Sequence, residues 1–143
     1  MNNLPRDKQV AAIAALCEGV SVRAAERLTG VNRGTILSLG VRVGEGCAKL
    51  HNALMRNLQV SRVELDEAWS YVGKKQKRVK PEDGDMVGDQ YVFIALAATA
   101  KAIITYRTGK RTAENTQMFA DDLRRRVLGV PEISTDGFNA YPW

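Results

Sequence analysis

Apolar residues recur at helical spacing near the start of the chain, as Val10, Ile13, Ala14 and Cys17. Pro5 is tolerated in a first helical turn and Gly19 is a natural stop, so the spacing predicts a helix ending near residue 19. Ser21 is suited to cap a short second helix that carries Ala25 and Leu28 inward, with the Thr29-Gly30 pair turning the chain. Asn32 then caps a third helix with Ile36 and Leu39 inward and Arg33, Thr35, Ser38 and Arg42 on its other faces. His51 falls on a helix after that one.

From Val60 the period changes to two. Val63, Leu65, Trp69 and Tyr71 share one face of an extended segment, Glu64, Asp66 and Ser70 the other, and Glu67 interrupts the apolar face. A basic loop over 74–80 and a turn-rich acidic one over 81–89 lead to a buried-type strand over 91–96, which makes a hairpin, and a third strand follows over 102–106. Thr112 caps a helix with Thr116, Phe119, Ala120, Leu123 and Val127 inward, stopped by Gly129 and Pro131. A short strand over 132–135 delivers Asp136 and Gly137. The fold class expected is α/β, a helical module over 1–58 followed by a β-β-β-α-β domain over 59–143.

Composition agrees with a folded chain: of 143 residues, 45% are hydrophobic and 26% charged, which sets aside wholesale disorder. The formal charge of +5 favours a polyanionic partner. The part up to Asn57 holds eight Lys or Arg against four acids, the remainder thirteen against twelve. No apolar stretch approaches the ~20 residues that cross a bilayer, so no membrane partner is expected. The N-terminal residues show no basic segment followed by an apolar core, so a cytoplasmic location is expected. Cys17 and Cys47 lack metal-ligand spacing and are expected as buried free thiols.

Two constellations carry chemistry. The stretch from Ser21 to Val43 resembles a helix-turn-helix, with Gly30 in the turn. Arg33 and Thr35 then lie where side chains reach base edges, Arg42 can reach phosphate, and Ser38 is a further DNA-binding candidate. Glu26 departs from the pattern, because its carboxylate stands where such motifs often place Ala and needs solvent or a basic partner. The other reading is an ordinary helical hairpin. Asp66 sits inside a strand, where a carboxylate is a poor β-former, and Asp136 directly follows another strand. If the fourth strand returns beside the first, the two carboxylates reach one edge of the sheet and offer the oxygen ligands Mg²⁺ prefers. The alternative is a solvated face and a simple Asp-Gly turn. Lys74, Lys75, Lys77, Arg78, Lys110 and Arg111 are either a solvated surface or phosphate contacts. Trp69 and Tyr71 are read as packing rather than base-stacking residues.

Several phrases together carry a resemblance: Leu4-Pro5-Arg6 with Lys8-Gln9-Val10, Thr29-Gly30-Val31 with Arg33 and Thr35-Ile36, Val41-Arg42-Val43-Gly44-Glu45, and Val72-Gly73-Lys74-Lys75-Gln76. Val87-Gly88-Asp89-Gln90, Gly109-Lys110-Arg111-Thr112 with Glu114-Asn115, and Ser134 through Tyr141 extend it almost end to end. In these the chain resembles bacterial transposases of the insertion-sequence-one family. The resemblance implies a DDE transposase: a DNA-binding N-terminal part, then a ribonuclease-H-like domain using two Asp and one Glu with Mg²⁺ or Mn²⁺. It maps the catalytic and metal-binding Asp residues onto Asp66 and Asp136. It also implies double-stranded transposon ends as partner, homo-oligomers or association with intact transposase, and a location at the bacterial nucleoid.

The family's Glu lies on a later helix, whereas this sequence stops seven residues after Asp136. The chain alone is therefore expected to be inactive in strand transfer. The Cys pairs of zinc-finger relatives have no counterpart here. The rival expectations are a non-catalytic remnant or regulator that competes with intact transposase, and a plain transcription regulator with a β-rich oligomerisation domain.

Overall fold

The structure is a computed structural model and describes residues 4–136. Gly137 and the aromatic tail after it lie outside the described residues. The chain divides into two compact units between Leu54 and Met55.

The first unit is three helices, α1 (Arg6–Cys17), α2 (Val22–Thr29) and α3 (Arg33–Leu54). Their core is Ala12, Ala25, Val31, Ile36 and Leu39, all buried, with Ile13, Leu16 and Val43 packed on it. The Ser21 hydroxyl accepts the Ala24 N–H at 3.2 Å, and Asn32 Oδ1 accepts the Gly34 N–H at 2.8 Å, so both expected caps are made. Gly30 ends α2 with φ +69°, a left-handed conformation that costs glycine little.

The inward faces differ in part from the periodic reading. Val10 and Leu28 are exposed, and so are both cysteines, which are not buried thiols. α1 is apolar over most of its circumference, so spacing alone does not choose its inner face. In α2 the inward place near the end is taken by Thr29, whose hydroxyl donates to Ala25 O at 2.7 Å and accepts the Val31 N–H at 3.2 Å. α3 runs unbroken to Leu54, so His51 lies on this same helix.

The second unit begins with β1 (Leu58–Gln59) and β2 (Arg62–Val72). A single 3₁₀ turn (Gln76–Arg78) then precedes β3 (Gly88–Ala97), β4 (Ala102–Gly109), α4 (Ala113–Arg126), β5 (Val127–Leu128) and β6 (Glu132–Ser134). The main sheet has the order β4-β3-β2-β6, antiparallel except that β6 returns parallel to β2, so the β-β-β-α-β path is present. β1 and β5 add a short parallel pair that the sequence pattern did not reveal, and Val127, expected on α4, belongs to it.

Strand alternation sorts the sheet into two faces. Val63 and Leu65 of β2, Phe93 and Ala95 of β3 and Ile104 of β4 form a core with Phe119 and Leu123 of α4. The phenyl groups of Phe93 and Phe119 meet at 5.8 Å between centroids. The Thr112 hydroxyl caps α4 by accepting the Asn115 N–H at 3.3 Å. The other face carries Asp66, Ile94, Leu96 and Ile103. Among the described residues no helix is long and apolar enough to cross a membrane.

Candidate functional site

The parallel pairing of β2 with β6 decides where the two candidate carboxylates go. Its rungs join Arg62 to Glu132, Val63 to Ile133 and Glu64 to Ser134. Asp66 lies two residues past the last rung on β2, and Asp136 lies in a bend two residues past the end of β6. Both line one open depression, together with Glu64, Ser134 and Thr135 and the apolar side chains of Ile94, Leu96 and Ile103.

Both acids are exposed. A strand interior disfavours Asp, yet on this face the carboxylate of Asp66 stays hydrated and escapes the penalty of burial. Its Oδ1 accepts the N–H of Glu67 at 2.8 Å, which steers the group. Hard oxygen donors with room for water fit Mg²⁺ or Mn²⁺, which are held through one or two carboxylates and keep several waters. Among the described residues no cluster of three His, Cys, Asp or Glu forms.

The residue after Asp66 points to the other face. Glu67 has a side chain only 3% exposed, and its Oε2 takes a hydrogen bond from Arg111 Nη2 at 2.8 Å. The Arg111 guanidinium also stands over the Tyr91 ring, 5.6 Å from its centroid. This cation, expected at a DNA surface, is thus committed to a buried acid. The interruption that Glu67 makes in the apolar pattern was the available signal, though its partner 44 residues away was not.

The remaining basic candidates fall into two groups. Lys74 grips both oxygens of Asp83 at 2.9 Å. That bond, followed by the Lys80 N–H, holds the Asp83 carboxyl below its ordinary value. Lys110 donates to Val87 O at 2.6 Å and to Gln76 Oε1 at 3.3 Å, so it braces the loop. Lys75, Lys77 and Arg78 are exposed.

In the helical unit Arg33, Thr35, Ser38 and Arg42 are all exposed on α3. Arg42 Nη2 reaches Gln9 Oε1 at 3.5 Å. Glu26 is partly exposed, and its Oε1 accepts the backbone N–H of Arg33 at 2.8 Å; among the described residues it makes no ion pair. There it satisfies one of the orphan donors at the start of α3 and opposes the positive end of the helix dipole. The departure from the expected pattern is a cap.

A network that sequence spacing did not disclose supports the covered face. Arg126, 6% exposed in its side chain, pairs with Asp122 at 2.6 Å, and the Thr105 hydroxyl donates to the same carboxylate. Burial pushes the Asp122 carboxyl up, but the Arg126 and Thr105 hydrogen bonds outweigh it and leave the group below its ordinary value. Arg126 Nη1 also donates to Met55 O at 3.3 Å, which ties the end of α4 to the start of the unit.

The molecule thus pairs a three-helix unit with an α/β unit bearing two acids in an open depression. No family model matches the chain, and no curated protein matches its sequence. Among solved structures, it is similar to a chain of the Mos1 strand transfer complex at 12% identity and a TM-score of 0.35, covering 98% of this chain and 55% of that one. It is also similar to a chain of the Mos1 transposase paired-end complex with left transposon end, at 12% identity and a TM-score of 0.29, covering 88% and 49% respectively. The chain spans about half the length of these structures. Likeness at this level carries no functional weight, which rests on the residues themselves.

Proposed function

We propose that the chain is a transposase-class DNA-binding protein. In this reading the helical unit is a helix-turn-helix module that holds duplex DNA, and the α/β unit is a ribonuclease-H-like domain. Asp66 and Asp136 are its metal-binding acids. The observation that carries the reading is their convergence: Asp66 on β2 and Asp136 just after the parallel strand β6, far apart in sequence, line one depression.

A phosphodiester approaching this depression brings negative charge to two carboxylates, so the acids need a cation between themselves and the DNA. Asp66 and Asp136 would hold a divalent ion there, which would supply polarisation of a phosphoryl oxygen and activation of water or a 3′-hydroxyl. Asp66 and Asp136 bind and orient. Arg33, Thr35 and Ser38 on α3 supply base-edge contacts to the duplex and Arg42 a phosphate contact, while Lys75, Lys77 and Arg78 of the α/β unit are phosphate-binding cations; all these charge contacts weaken steeply with salt.

Iron-directed cleavage tests both halves together. Fe²⁺ with ascorbate and peroxide, added to the chain on duplex DNA, is expected to cut the polypeptide near residues 66 and 136 and to break the bound DNA locally. Excess Mg²⁺ should suppress both. Asp66→Asn and Asp136→Asn should each remove the cuts and leave duplex binding intact. Cuts that persist in the double variant, or DNA breakage spread evenly along the duplex, contradict the proposal.

A further inference from the structure

We infer that the far end of the β2–β3 hairpin is a stacking surface for the bases of unpaired DNA, distinct from the Asp66 depression and from the helical unit. The hairpin sets Trp69 opposite Tyr91 and Tyr71 opposite Asp89. Alternation puts Trp69 and Tyr71 on the same face as Val63 and Leu65, yet they lie outside the core, each 47% exposed. The packing role expected from sequence therefore accounts for only half of each ring.

The chemistry around the rings points to a polyanion. Lys75 Nζ stands 5.4 Å from the Trp69 centroid. Lys77 and Arg78 follow on the 3₁₀ turn, both exposed, and with Lys75 they have no ion pair among the described residues. Neighbouring cations are already committed: Lys74 to Asp83, Lys80 to Glu82 at 3.7 Å, and Arg111 to Glu67. Of the cations on this loop, Lys75, which stands over Trp69, and Lys77 and Arg78 after it make no ion pair among the described residues.

The loop that presents these cations is held in place. Gln76 N–H donates to Asp89 Oδ1 at 3.0 Å, and Asp89 N–H returns a bond to Gln76 Oε1 at 3.2 Å. A loop ordered in advance loses less entropy when it binds. Exposed aromatic faces with unspent positive charge are the elements of single-strand recognition, where bases stack and lysines track phosphates. A duplex offers few base faces, which makes unpaired DNA the fitting ligand. The rings are 5.9 Å apart and tilted by 40°. A base between them needs about 7 Å, twice the ~3.4 Å stacking rise, so bases lie on the outer faces.

The test uses the Trp143→Phe chain, in which Trp69 is the remaining tryptophan of two. Oligothymidylate is expected to quench Trp69 fluorescence, less so as salt rises, whereas a duplex of equal length quenches weakly. Trp69→Ala should weaken oligothymidylate binding roughly 10-fold, within the range for one stacked base, and change duplex affinity less than about 2-fold. Trp69→Phe should recover most of the loss. Quenching read on intact Trp69 decides the matter even if Trp69→Ala folds poorly. Absence of quenching, or a duplex that quenches as strongly as the single strand, overturns the inference. Duplex binding lost on substituting Arg33 and Arg42 bears on the helical unit alone, so the two claims fail separately.

Discussion

The two faces of the main sheet treat adjacent acids in opposite ways. On the face covered by α4, Glu67 is almost wholly enclosed and held by Arg111; on the open face, Asp66 remains exposed beside Asp136. One residue of strand register separates a structural ion pair from a candidate metal site. A carboxylate under a helix needs a countercharge to stay ionised, whereas one on an open face keeps its water and remains available to a ligand.

The largest expected effect breaks the covered face by emptying it. Phe119→Ala or Phe93→Ala should cost about 4 kcal/mol, read from urea unfolding, because both side chains are fully buried and face each other. Ile103→Ala, on the open face and 42% exposed, should cost about 1 kcal/mol or less. Equal losses would remove the distinction between the faces.

Next comes the buried network. Arg126→Ala should cost about 2 kcal/mol, since it removes a buried side chain and takes from the partly enclosed Asp122 carboxylate its charged partner. Asp122 titrates below its ordinary value of 3.8 in the folded chain, so its contribution is fully present above that pH and is lost as pH falls through the lowered value. Acid unfolding should therefore begin at higher pH in Asp122→Asn, which lacks this contribution throughout. An unchanged acid profile would show that the pair contributes nothing to stability.

A comparable effect sharpens the contrast between neighbours. Glu67→Gln should destabilise by about 2 kcal/mol, with a positive coupling to Arg111→Ala in a double-mutant cycle. Asp66→Asn should stay within about 0.5 kcal/mol of the parent in stability. A larger loss for Asp66→Asn than for Glu67→Gln would mean that Asp66 has a structural task.

The order of elements was legible because the alternating run from Val63 and the caps Ser21, Asn32 and Thr112 are local signals. So was the parallel return of the last strand beside the Arg62–Val72 strand, after which Asp66 and Asp136 line one depression. What spacing did not reveal depends on partners distant in the chain. The role of Glu26 rests on the N–H of Arg33, that of Glu67 on Arg111, and that of Arg126 on Asp122 and Met55 O. Leu28 was misread because periodicity treats every apolar side chain as inward, whereas the backbone bonds of Thr29 fill that place. The split of the basic loop into bracing and unspent cations was equally invisible, since both kinds are lysines or arginines in one short run.

The central claim, that Asp66 and Asp136 together hold a divalent ion, is tested most directly by Mn²⁺ titration followed through backbone amide NMR signals. The expected result is selective broadening of residues 64–66, 94–96 and 134–136 at low Mn²⁺, reversed by Mg²⁺ and lost in both Asp66→Asn and Asp136→Asn. Broadening centred on the Asp83 and Asp85 loop, or broadening around residue 66 that survives Asp136→Asn, would contradict a shared site.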